Sequence, residues 1–176
     1  MKKLLVVVDY QKDFVDGSLG FPGAELLDAP IAAKIREYRA DGDEIIFTKD
    51  THGPAYFEMQ EGKKLPVMHC QNGTPGWELY GETGKLCGDS MVICKHAFGS
   101  FDLAMMAMEK GYDSIELVGL VSNICVITNA ILLKTAQPEA EIIVDASCTA
   151  SFDKKLNEET LDVLEGLQIT VTNRNK

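Results

Sequence analysis

Three residues of complementary chemistry follow or end three apolar runs. Asp9 follows Leu4–Val8, Lys95 closes Met91–Lys95, and Cys125 follows Ser114–Gly119 after a short polar turn. A carboxylate can take a thiol proton, and an ammonium stabilises both the carboxylate and the thiolate that results. A free thiol is mostly protonated near neutral pH, so a cysteine nucleophile needs such help. Cys125 also reads as the opening residue of a helix, where the positive end of the helix dipole favours thiolate. Each residue has a plainer reading. Strand-end aspartates cap loops, strand-end lysines are solvated, and a cysteine in a tight turn is a small apolar residue. Of the remaining cysteines, Cys70, Cys87, Cys94 and Cys148, the one inside a strand, Cys94, is expected to be inert core.

A second group is Asp50, His52 and His69. The chain has three histidines, and two of them lie in the stretch after the second apolar run. In extended chain, residues two apart share a side, so Asp50-Thr51-His52 offers a carboxylate and an imidazole together. His69 can add a third ligand. Mixed oxygen and nitrogen ligation suits zinc, iron or manganese better than magnesium or calcium. The alternative is two loop histidines in ordinary hydrogen bonds. Phe14, Phe98 and Phe101 read as core or pocket wall, Met105, Met106 and Met108 as helix core, and His96 has no evident partner.

The elements that must position these groups alternate in type. Apolar runs at 4–8, 44–49, 91–95, 114–119, 142–144 and 168–172 read as strands. Helical periodicity and end signals place helices from Asp28 to Asp41-Gly42, from Ser100 to Lys110, from Cys125 to about Thr135, and from Asp153 to Glu165. Asp28 is expected to cap the first of these. The stretch 51–86 is irregular, and a loop of that length is usually functional or holds small elements of its own. Alternation implies right-handed crossovers, hence a three-layer α/β/α fold with a mostly parallel, six-stranded, doubly wound sheet. Ligands bind at the carboxyl ends of such strands, where Asp9, Asp50, Lys95 and the turn before Cys125 fall. Asp9 and Lys95 both follow apolar runs, so both are expected on central strands.

Bulk properties narrow the function. The chain has 176 residues, 45% hydrophobic and 25% charged, as expected for one globular domain over 1–176. A net charge of −10 argues against binding nucleic acid or an anionic membrane surface. Five cysteines with no Cys-x-x-Cys pair argue against a disulfide framework. The N-terminal apolar run is cut at Asp9, too short for a secretory signal, and no stretch reaches the roughly 20 residues of a membrane span. A reduced, cytoplasmic protein is expected.

Taken in order, the pieces are Val7-Val8-Asp9-Tyr10-Gln11-Lys12-Asp13-Phe14, Asp50-Thr51-His52, His69 with Gly73-Thr74, Lys95, and Gly119-Leu120-Val121-Ser122-Asn123-Ile124-Cys125-Val126. This ordered set, spanning nearly the whole chain, resembles the isochorismatase-like cysteine hydrolases, specifically the nicotinamidase-related amidases. The resemblance implies a catalytic triad of Asp9, Lys95 and Cys125. Asp is the base, Lys the electrostatic partner, and Cys attacks an amide carbonyl to form a thioester. It further implies an oxyanion hole from the backbone N–H groups of Val121 and Cys125, and a cis Leu120–Val121 peptide. A divalent metal would be held by Asp50, His52 and His69, with Glu61 as fourth ligand and Glu58 as its competitor. Phe14 and Ile124 are expected at the substrate pocket. Ile124 stands where several nicotinamidases carry histidine, and the segment after Lys95 lacks a tyrosine that some members place against the ring. The implied partner is a small-molecule amide, and a homo-oligomer is expected. The alternatives are hydrolysis of a ureido or carbamoyl compound, isochorismatase-like ether hydrolysis, or a non-catalytic thiol protein for redox or binding.

Overall fold

Residues 1–174 are described by the computed structural model. In chain order its elements are β1 (Lys3–Val8), α1 (Lys12–Val15), α2 (Asp28–Asp41), β2 (Glu44–Asp50), α3 (Gln60–Lys64), α4 (Gly81–Lys85), β3 (Met91–Lys95), α5 (Phe101–Lys110), β4 (Ser114–Leu120), α6 (Ile127–Ala136), β5 (Glu141–Ala150), α7 (Lys154–Gly166) and β6 (Thr170–Thr172). The strands form one sheet in the order β3-β2-β1-β4-β5-β6, with every neighbouring pair parallel. The chain runs outward from β1 to β3, then crosses back to place β4 against the other side of β1. The switch in direction opens a crevice between the carboxyl ends of β1 and β4.

The period-two alternation of a strand explains the layers. Leu4, Val6 and Val8 of β1 pack with Leu103 of α5, Ala130 of α6 and Leu161 of α7. Leu5 and Val7 face the other way, onto Phe14 of α1 and Ile31 and Ile35 of α2. Both faces of β1 are buried, which is why its sequence is continuously apolar. β4 must lie close to β1 at its carboxyl end. Gly119, at φ 113°, allows this: a Cβ there would sit 2.0 Å from the Val8 carbonyl oxygen.

Several expectations are corrected. β3 is an edge strand with Met91, Val92 and Cys94 exposed, so Cys94 is not core and Lys95 is not on a central strand. Met105 and Met108 are exposed, and Met106 alone of the three packs on the core. β5 runs for ten residues instead of three. Its polar Asp145 and Ser147 conceal it in the sequence, and a register shift against β4 between Leu117 and Gly119 interrupts the pairing. Asp28 does not cap α2. Its carboxylate accepts from the backbone N–H groups of Glu82 (2.9 Å) and Thr83 (2.8 Å), so it caps α4 from a distance. Ser100 does cap α5, accepting from Leu103 N–H at 3.1 Å, and Asp153 caps α7.

The irregular stretch contains α3, α4 and single 3-10 turns, and polar side chains from the first 28 residues tie it down. Gln11 Nε2 donates to the carbonyls of Asp50 and Trp77, both at 2.9 Å, while its Oε1 accepts from Asp50 N–H at 2.7 Å. Asp13 Oδ2 accepts from Cys70 N–H at 2.7 Å. Asp28 holds α4.

A buried ionic cluster joins α2 to the sheet. Lys34 Nζ lies 2.8 Å from both Glu116 Oε1 and Asp145 Oδ2, and Tyr38 donates to Glu116 Oε2 at 2.7 Å. Burial alone would raise the Asp145 carboxyl, but hydrogen bonds from Lys34 and Ser147 hold it below its ordinary range. A depressed carboxylate contributes stability above its unfolded pKa of about 3.9, lost as pH falls through the folded value. Urea unfolding should therefore show less stability at pH 3 than at pH 6 from this group. Asp145→Asn should shrink that difference. An unchanged pH dependence in the variant would show that the cluster does not carry it.

Candidate active site

The register brings the candidate groups together. Val8 pairs with Gly119, and Asp50 pairs with Lys95. Asp9 therefore emerges beside the end of β4, and Lys95 emerges beside Asp50. Lys95 Nζ lies 2.6 Å from Asp9 Oδ2, 3.5 Å from Asp50 Oδ1 and 3.5 Å from Cys125 Sγ, and donates to the Ala97 carbonyl at 3.0 Å. Asp9 is held from a second side by the Thr48 hydroxyl, which donates to Oδ1 at 2.6 Å. All three members of the Asp9–Lys95–Cys125 group are buried.

Cys125 differs from its expected setting. It lies within a π-helical turn, Ser122–Val126, and α6 begins only at Ile127. The Leu120–Val121 peptide before this turn is cis. The thiol is not poised as thiolate. Burial pushes it well above its ordinary pKa, the charges of Asp9 and Asp50 add to this, and Lys95 opposes them. Burial likewise raises the Asp9 carboxyl, with Asp50 adding and Lys95 and Thr48 opposing. Burial would lower Lys95, but the carboxylate of Asp9, with that of Asp50, outweighs it and holds the ammonium charged. The resting arrangement is a neutral thiol within hydrogen-bonding reach of a carboxylate whose proton affinity is raised. Such a pair moves a proton when a substrate arrives instead of storing a thiolate.

Beside it lies a second cluster. One ligand atom each from Asp50, His52, Glu61 and His69 fall within 4.8 Å of one another. Asp50 Oδ2 is 3.0 Å from His52 Nε2 and 3.4 Å from His69 Nε2, and Glu61 Oε1 is 3.7 Å from each of these nitrogens. Glu61, three positions from its competitor Glu58, is the glutamate that reaches the cluster. His69 Nδ1 donates to the Val67 carbonyl at 2.9 Å, which turns its Nε2 toward the cluster. Burial would raise the Asp50 carboxyl, but hydrogen bonds from the two imidazoles and the Lys95 charge hold it well below the usual range. Tyr56 packs its ring against both histidines, with centroids 4.6 and 5.2 Å away. Two imidazole nitrogens and two carboxylate oxygens converging in a largely buried site fit a divalent metal ion.

Both clusters open onto one cavity of about 250 Å³, lined by Asp50, Glu61, His69 and Cys125 on its polar side. Phe14, Val121 and Ile124 line it, and Phe98 is wall while Phe101 points to solvent. Leu19, Lys64 and Leu65 also line it and were not read as site residues. Lys64 follows Glu61 by one helical turn, and that spacing is the signal that could have found it. Leu19, between Ser18 and Gly20, and Leu65, between Lys64 and Pro66, belong to no periodic pattern and give a weaker signal. His96 finds a partner outside the cavity, its Nδ1 meeting the Thr51 carbonyl at 2.7 Å.

The chain has counterparts among known proteins. An isochorismatase family protein of Bacillus subtilis (strain 168) is 29% identical over 168 residues, covering 88% of this chain and 90% of that protein. The structure of nicotinamidase/pyrazinamidase from Bacillus subtilis superposes with a TM-score of 0.87 at 26% identity, covering 97% of this chain and 99% of that one. N-carbamoylsarcosine amidase from Thermoplasma acidophilum superposes at 0.81 and 26% identity, covering 100% and 99%. The model of the isochorismatase domain matches residues 3–176. With a parallel sheet, a strand-end site and a family match over nearly its full length, this chain belongs to the isochorismatase family.

Proposed function

We propose that the protein is a cysteine-dependent amidohydrolase of nicotinamidase type, cleaving a small, flat amide to the acid and ammonia. The observation that carries this reading is the position of Lys95 Nζ, 2.6 Å from Asp9 Oδ2 and 3.5 Å from Cys125 Sγ, at the edge of a cavity that Cys125 lines. The nicotinamidase and carbamoyl amidase among its structural neighbours support an amide C–N bond as the target.

In this reading the thiol proton passes to Asp9 as Sγ attacks the carbonyl carbon. Lys95 keeps the site balanced while charge moves from carboxylate to sulfur. The developing oxyanion is received by the backbone N–H groups of Val121 and Cys125, both on the cavity wall. The C–N bond breaks, Asp9 returns the proton to nitrogen, and ammonia leaves a thioester. Water then attacks, Asp9 takes its proton, and the proton returns to sulfur as the C–S bond breaks. Phe14, Val121 and Ile124 hold the apolar body of the substrate.

Asp50, His52, Glu61 and His69 would hold a divalent ion, for which their donors suit zinc, iron or manganese. When bound, such an ion offers a positive coordination point for a ring nitrogen or other lone pair of the substrate. Purified protein should carry close to one such ion per chain by elemental analysis. His69→Ala should weaken its retention against a chelator by more than about 10-fold. Unchanged retention in that variant would remove the cluster as a metal site.

Five unpaired cysteines support a reducing, cytoplasmic setting. Among the described residues no helix is long and apolar enough to cross a membrane. Phe101, Met105 and Met108, exposed along α5, support association into a homo-oligomer. The direct test of function is ammonia release from nicotinamide, pyrazinamide and a set of ureido acids. Hydrolysis of none of them, with Cys125 alkylated no faster than Cys87 or Cys94, would leave a non-catalytic thiol protein.

A further inference from the structure

α3 places two charged residues on the cavity wall. Glu61 and Lys64 are one helical turn apart and so share a face, and both line the space beside Cys125. They do not pair with each other. Glu61 Oε1 is directed to His52 and His69, 3.7 Å from each Nε2. Among the described residues no carboxylate lies within ion-pair distance of Lys64. The other cation near the site, Lys95, is committed to Asp9, Asp50 and Cys125. Lys64 is thus the cation on this wall with no acid against it, and most of the remaining wall is apolar, from Phe14, Leu19, Leu65, Phe98, Val121 and Ile124.

We infer that the preferred substrate is an amide whose flat apolar body also bears a carboxylate, and that Lys64 selects it. This rests on the amidase reading above and names its substrate class. Lys64 is exposed, so its ammonium stays hydrated while the cavity is empty and costs little to keep charged. A neutral amide gains nothing from it. A carboxylate entering a mostly apolar pocket would otherwise lose its own hydration without compensation, and a flexible ammonium at the wall supplies the partner. The reacting amide lies at Cys125 and the charge is read at α3, so selection acts on binding and not on the covalent step.

The test compares benzamide with the three isomeric carbamoylbenzoates. Ammonia release gives kcat/KM for the unaltered protein, Lys64→Met and Lys64→Arg. Calorimetry on Cys125→Ala protein, with and without Lys64→Met, gives Kd without turnover. At least one carbamoylbenzoate should be preferred to benzamide by about 10-fold, the factor a part-exposed charge-assisted hydrogen bond supplies. Lys64→Met should reduce that ratio about 10-fold, mainly through KM and Kd, while Lys64→Arg keeps it. The preference should also weaken with added salt. Ammonia release that favours benzamide, or a ratio unmoved by Lys64→Met, overturns the role of Lys64 and leaves the amidase reading standing. Absence of both ammonia release and binding for all four compounds overturns the inference, and the amidase reading is then decided by nicotinamide, pyrazinamide and the ureido acids.

Discussion

Cys125→Ala releases no measurable ammonia from any amide the unaltered protein hydrolyses, a loss of at least about 10,000-fold. The size of the effect follows from covalent catalysis. Without the thiol, the backbone donors can still bind and polarise the carbonyl, but no atom is placed to attack it. The change is small for the fold. Cys125 is buried, and losing one sulfur atom from a packed turn costs about 1 kcal/mol, too little to unfold a domain of this size. Calorimetric melting should confirm that the variant is folded. Mass spectrometry of the unaltered protein quenched during turnover should find the acyl group on Cys125, not on Cys70 or Cys148. Retention of even a hundredth of the activity by the alanine variant would sink the thioester mechanism.

Lys95→Met removes both activity and stability. The lysine is 4% exposed and Asp9 is 0% exposed, so the substitution leaves a fully buried carboxylate with its counter-charge gone. Breaking a buried pair by removing one partner costs about 3–5 kcal/mol. For a chain of this length that is a fall in Tm of roughly 10 °C. The loss of activity has a separate cause. No ammonium would remain to balance the charge that moves from the Asp9 carboxylate to sulfur. The two effects can be separated by Asp9→Asn in the same background. The double variant lacks the unpaired charge and should recover a good part of the stability, with activity still at the floor. A Tm within 2 °C of the unaltered protein in Lys95→Met would mean that Asp9 already rests neutral and that the ion pair is not formed.

What could be read from the sequence divides along the line between sheet and excursion. Strand ends announce themselves, because a polar residue after a continuous apolar run has few places to go. Asp9, Asp50 and Lys95 were legible for that reason, and the parallel sheet followed from the alternation that holds them. The position of β3 was not legible. An edge strand and a central strand can both be written Met-Val-Ile-Cys-Lys, and the order that leaves Cys94 in solvent is fixed by crossovers elsewhere in the chain. The thiol's setting was also not legible. A helix terminus argues for thiolate, but burial pushes the thiol up, with the charges of Asp9 and Asp50 adding and Lys95 opposing, and that burial is a tertiary fact. Glu61 came from resemblance alone, and Lys64, Leu19, Leu65 and Tyr56 were missed. All but Leu19 lie in the 51–86 stretch, where no hydrophobic period tells which side chains point inward. Asp28 illustrates the same difficulty. It has the type and place of a cap for its own helix, yet it caps α4 more than 50 positions later.

The ties from Gln11, Asp13 and Asp28 to that stretch bear on how such a protein diversifies. The groups proposed to make and break bonds, Asp9, Lys95 and Cys125, sit at or just beyond the ends of sheet strands. Several of the groups proposed to recognise the substrate, Glu61, Lys64 and His69 among them, sit on a segment fastened largely from outside the sheet by a few polar side chains. Exchange of residues between these fastenings leaves the strand register untouched. A lineage can therefore test new substrates at positions such as Lys64 and Leu65 without putting its inherited chemistry at risk.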